Sequence, residues 1–85
     1  MKETEFIIIL ETIKKVQDFN KIVSKYEEEI TLKSHRYEID AKSIMGIFSL
    51  NLLEHVRICL YSDDEEVISR FTNDMEQFKY VEENA

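Results

Sequence analysis

Proline is absent from the 85 residues, glycine and cysteine each occur once, and there is no tryptophan. The lone Cys59 excludes an internal disulfide and any multi-cysteine zinc site, as expected of a chain from a reducing compartment. The single Gly46 leaves no room for a glycine-rich loop that cradles phosphate, and no D-x-D-x-D-G spacing suggests a calcium loop. No motif implies a metal or a cofactor. The longest purely apolar run, Phe6 to Leu10, falls far short of the roughly 20 residues that span a bilayer, so no membrane partner is expected. No basic, Ala-ended signal segment opens the chain, and the expected location is the cytoplasm. Basic residues are also scarce: the net charge of −7 argues against nucleic acid, whose phosphates need clustered Lys and Arg.

What is present suffices for one small domain spanning residues 1–85. The chain is 44% hydrophobic with four tyrosines and five phenylalanines, which allows a thin but real core. With few Gly and Pro to mark turns, element boundaries are read from changes of period. Glu5 to Leu10 is rich in β-branched residues and too short for a helix, so it reads as a strand. Ile13, Val16, Phe19, Ile22, Val23 and Tyr26 recur at helical steps and predict one apolar helix face. Alternation over Glu29–Lys33 and Arg36–Asp40 predicts a hairpin turning at Lys33-Ser34-His35-Arg36. Ser43 to Leu50 reads as a short helix capped by Ser43. His55 to Tyr61 is the last strand, with Val56, Ile58 and Leu60 on one side. Ser62-Asp63-Asp64-Glu65 fits a capping box opening a helix with Val67, Ile68, Phe71, Met75 and Phe78 on one face. Antiparallel strands covered on one side by helices make an α+β open-faced β-sandwich.

Within that order, Lys42-Ser43-Ile44-Met45-Gly46-Ile47-Phe48-Ser49-Leu50 resembles the regulatory serine segment of the histidine-containing phosphocarrier (HPr) family of the bacterial sugar phosphotransferase system. Val23-Ser24-Lys25-Tyr26, followed by Ile30 and Leu32, is similar to the end of that family's first helix and its second strand. The resemblance implies a four-stranded antiparallel sheet with helices on one face. In the family, a histidine between the first strand and first helix, followed by an arginine and a proline, relays a phosphoryl group from enzyme I to transporter subunits. The corresponding Glu11-Thr12-Ile13-Lys14-Lys15-Val16-Gln17 holds none of the three. His35 and His55 lie elsewhere and read as surface residues. Phosphocarrier activity is therefore expected to be absent, and no catalytic residue or enzyme activity is assigned.

The resemblance further implies that Ser43 is the acceptor of a dedicated HPr kinase, with a catabolite-control transcription factor or phosphotransferase-system components as protein partners. This arrangement resembles the regulatory paralogue that keeps the serine and lacks the histidine. A phosphate there would meet a helix N-terminus, with Lys42 as an adjacent cation. Ile47 and Leu50 read as core, whereas Ile44, Met45 and Phe48 share another arc and, by resemblance, form an exposed docking patch. Lys14 and Lys15 are candidate contacts for a partner's phosphate. Ile7, Ile9, Cys59 and Tyr61 would face outward from the uncovered sheet face as an apolar stripe suited to a homodimer. Two other readings remain open: a phosphocarrier with an unrecognised acceptor, and an HPr-fold binding scaffold in which Ser43 only caps its helix.

Overall fold

A computed structural model describes residues 1–35 and 37–82. Strand β1 runs Glu3–Ile8, helix α1 Ile13–Val23, β2 Glu29–Lys33, β3 Glu38–Asp40, α2 Ile44–Phe48, β4 Val56–Tyr61 and α3 Glu65–Met75. A 3₁₀ turn over Glu76–Phe78 extends α3. The four strands form one sheet in the order β1-β4-β2-β3, with every neighbouring pair antiparallel. No helix among the described residues is long and apolar enough to cross a membrane.

The strand alternation builds the core. Ile30, Leu32, Ile58, Leu60 and Ile8 point to the covered face and are buried. Val16, Phe19 and Val23 of α1 and Val67, Phe71 and Met75 of α3 close over them, each at three- or four-residue spacing. Phe19 meets Phe78 edge to face at 5.5 Å between ring centres, and Tyr26 meets Phe71 at 5.7 Å. Such aromatic pairs add roughly 1 kcal/mol each beyond their buried area. Tyr26 also donates its hydroxyl to Asp74 at 2.7 Å, tying the end of α1 to α3.

Turns that would ordinarily need Gly or Pro are built from short polar side chains instead. Asp40 accepts from the Lys42 amide at 2.9 Å, Asn51 from Leu53 at 3.1 Å, and Ser62 from Asp64 at 3.1 Å. Each bond mimics a backbone turn two residues long, which is how the chain changes direction with one glycine.

Several boundaries differ from those read in the sequence. β1 begins earlier and ends at Ile8, because the edge beyond it pairs with the C-terminal segment: Ile9 donates to the Phe78 carbonyl and Tyr80 to that of Ile7, both at 2.9 Å. Ile13 is 63% exposed and not part of the core face, since it is the first residue after the cap of α1 and stands at the rim of the core. The cap of α3 is Asp64, accepting from Glu66 at 2.9 Å, while Ser62 serves the preceding turn. Phe78 belongs to the 3₁₀ turn, where it is buried but off the helix. β3 is three residues long, and Arg36, in the expected hairpin turn, lies outside the described residues.

Candidate functional site

Ser43 opens α2. Its backbone is extended, and its exposed hydroxyl accepts from the Gly46 amide at 3.3 Å, the geometry of a helix N-cap. A Cβ at Gly46 would stand 3.3 Å from that hydroxyl oxygen and 3.6 Å from Ile39. The only glycine therefore sits where the serine oxygen approaches the helix backbone. At the other end of the helix, Ser49 donates its hydroxyl to the Gly46 carbonyl at 2.6 Å, closing a helix only five residues long.

The apolar residues of α2 divide between two environments. Ile47 is fully buried, and Leu50 is half-buried against the core. Met45 is 81% exposed and Phe48 43%, and Ile44 lies beside them on the solvent side. The exposed Ile13 adds a further apolar group at the start of α1, the helix that packs against α2.

Lys42 does not extend toward the Ser43 hydroxyl as a neighbouring cation. Its ammonium donates to the carbonyls of Tyr26 at 2.5 Å and Glu28 at 2.7 Å, and its own carbonyl accepts from Asn20 at 2.9 Å. The long stem turns the charge back into the connection between α1 and β2, where it bonds two backbone carbonyls. Lys42 thus fastens α2 to the rest of the fold, a role its sequence position beside Ser43 does not reveal. Lys14 and Lys15 are surface residues in loose ion pairs, with Asp18 at 3.2 Å and Glu11 at 3.6 Å. Exposed pairs of this kind contribute little to stability and leave the lysines accessible.

The loop before α1 is short. Thr12 caps the helix by accepting from Lys15 at 3.1 Å, a role the sequence reading overlooked although Thr followed by a helical period is a standard starting signal. Glu11 has φ of 65°, in the left-handed region unusual for a non-glycine residue, and its amide is held by the Leu52 carbonyl at 2.9 Å. No imidazole stands in this loop; His35 follows β2 and His55 precedes β4.

The open sheet face departs from the expected apolar stripe. In register, Ile7 lies opposite Arg57, Glu5 opposite Cys59 and Glu3 opposite Tyr61, so apolar and charged positions alternate across the strands. Cys59 does point to this face but is 0% exposed, and burial pushes its thiol pKa up. Ile7, Ile9 and Tyr61 are each half-buried. The four residues therefore do not form a continuous apolar surface.

Comparison with known proteins gives a consistent picture. The HPr-C-His protein of Thermoanaerobacter tengcongensis superposes with a TM-score of 0.69 at 29% identity, over 91% of this chain and 92% of that one. The phosphocarrier HPr of Bacillus anthracis gives a TM-score of 0.63 at 20% identity, covering 86% and 94%. The histidine-containing phosphocarrier of a Mycoplasma gives 0.64 at 18%, covering 89% and 93%. The latter two likenesses concern the fold alone. Comparison with curated proteins gives no match. The family model described as the PTS HPr component phosphorylation site matches residues 13–77, from the first turn of α1 to the 3₁₀ turn after α3. The chain belongs to the HPr family of the phosphotransferase system.

Proposed function

We propose that this member of the family does not relay phosphoryl groups and acts as a regulatory or adaptor protein through Ser43 and the apolar surface of Ile44, Met45 and Phe48. One juxtaposition carries the reading: an accessible serine hydroxyl at a helix N-terminus stands beside outward-facing Met45 and Phe48. The loop that bears the family's reactive imidazole here holds Thr12 as a cap.

The chemistry follows from the cap. A serine kinase transfers the γ-phosphoryl group of ATP to the Ser43 oxygen, which loses its proton, and ADP departs. The new group brings roughly −1.5 to −2 charge to the first turn of α2, where backbone N–H groups lack helical partners. Gly46 has no side chain to compete for the space beside that oxygen. The charge then borders the Met45 and Phe48 surface. A partner that fills an apolar pocket with Met and Phe and meets the phosphate with its own cations distinguishes the two states. Lys42 contributes none of that charge recognition, because its ammonium is engaged by Tyr26 and Glu28.

Incubation with an HPr serine kinase and ATP, read by intact mass, tests the reading. One added phosphoryl group that Ser43→Ala abolishes is expected, and incubation with phosphoenolpyruvate and enzyme I should add none. Kinase resistance together with undiminished partner binding would overturn the regulatory reading in favour of a scaffold with Ser43 as a cap.

A further inference from the structure

Both histidines of the chain, His35 and His55, line one cleft. It has a volume of about 230 Å³ at one end of the open sheet face and is walled by Lys33, Ser34, His35, His55, Arg57 and Ile7. None of its described lining residues carries a carboxylate, in a chain with 18 acidic residues against 11 lysines and arginines. The concentration follows from topology. β2 and β4 are neighbours, so the residues that end β2 and begin β4 come together: Lys33 pairs in register with Arg57, His35 follows the one and His55 precedes the other.

Like charges directly opposite on adjacent strands repel. Lys33 and Arg57 are such a pair, on the same face and with the cleft beside them. Carboxylates flank this cluster, two of them on the same sheet face. Glu5 reaches Arg57 through Nε at 3.6 Å, Glu54 lies 3.8 Å from His35, and Glu38 faces Lys33 from β3. The guanidinium Nη groups form no hydrogen bond among the described residues. A second cavity of about 330 Å³ continues past Ile7 and His55 to Tyr80 and Glu82, and the His55 ring stacks on Tyr80 at 4.6 Å between centres. That stack holds one imidazole in place at the mouth of the cleft.

We infer that this cleft binds a phosphate group, as inorganic phosphate or as a small phosphomonoester whose carbon portion lies along Ile7 and Tyr80. A dianion between Lys33 and Arg57 adds to the neutralisation that Glu38 and Glu5 begin from either side. It accepts from the guanidinium edge, the ammonium, the Ser34 hydroxyl and the imidazole N–H groups. The volume admits a phosphate with a few carbon atoms. The site shares no residue with Ser43 or its apolar patch, so its failure and that of the proposed function are separable.

The test is a ¹⁵N-labelled amide NMR titration of the full chain in a phosphate-free buffer. Separate arms use inorganic phosphate, glycerol phosphate, and sodium chloride at matched ionic strength. Saturable shifts confined to Lys33–His35 and His55–Arg57 with either phosphate arm, and not with chloride, are expected. Stronger binding of glycerol phosphate identifies the ester as the preferred source, and equal or stronger binding of inorganic phosphate identifies the free ion. Lys33→Gln and Arg57→Gln, each checked for a native spectrum, should weaken binding at least tenfold. Lys14→Gln should not change it. Linear shifts, shifts reproduced by chloride, or shifts centred on Lys14, Lys15 and Ser43 would overturn the inference.

Discussion

Replacing Lys42 by methionine separates its part in the fold from any part in partner recognition. Methionine keeps most of the apolar stem and deletes the ammonium, and with it two short bonds to the Tyr26 and Glu28 carbonyls. Hydrogen bonds to charged groups contribute about 1.5–3 kcal/mol each. Part of that loss is recovered, because the carbonyls lie in a connection that water can reach and the ammonium no longer needs desolvation. A net destabilisation of about 2 kcal/mol is the expected result. In a domain of this size that corresponds to a fall in Tm of roughly 8–16 °C. Urea unfolding followed by circular dichroism gives the free energy directly. Lys14→Met is the matched control: its ion pair with Asp18 is exposed, and removal should cost about 0.5 kcal/mol or less. The reasoning is refuted if Lys42→Met is as stable as the parent, above all if Ser43 phosphorylation or partner binding is lost at the same time. That pattern would make Lys42 a contact residue after all.

Three further outcomes follow from the same contacts. Burial, and then the hydrogen bond to Asp74, raise the Tyr26 pKa to about 12 from its ordinary value of 10.0. The folded form therefore holds the proton more tightly than the unfolded one. This stabilisation, of the order of 2 kcal/mol, is complete below pH 10 and lost as pH rises from there toward 12. Tyr26→Phe should flatten that decline in a pH series of urea unfolding curves, and an unchanged slope would contradict it. Met45→Lys should alter stability by less than about 0.5 kcal/mol and Phe48→Ser, whose ring is more than half buried, by about 1–1.5 kcal/mol, while each weakens partner capture at least tenfold. Capture unaffected by both changes would remove the docking surface. The alternation of Ile7 with Arg57 and Glu5 with Cys59 predicts a monomer by sedimentation velocity, and a dimer broken by Tyr61→Lys would contradict that.

The fold is legible wherever a period is strong. Ile30 and Leu32, then Ile58 and Leu60, alternate as half-covered strands must, and Val16, Phe19 and Val23 repeat as one helix face must. Boundaries are less legible, because a run of polar residues offers several equivalent caps. Ser62 and Asp64 can each accept from an amide, and only the path of the chain assigns one to the turn and the other to α3. At the candidate site, the Ser43 cap is written in the local sequence, since capping is a contact over three residues. The direction of Lys42 is not, because its partners, Tyr26 and Glu28, are brought to it by the packing of α1 against α2. Ile13 matches the apolar stripe by spacing, yet spacing cannot tell the last buried turn from the first exposed one. The polarity of the open sheet face depends on register: whether Cys59 borders Glu5 or Ile7 is decided by strand pairing and not by either strand alone.

The central claim is that this family member is addressed at Ser43 and not at a histidine. Intact-mass measurement after exposure to an HPr serine kinase with ATP, beside a Ser43→Ala control, tests it most directly. One phosphoryl group on the parent chain and none on the control is the predicted result. An unmodified parent chain, or a control that is modified equally, would contradict it.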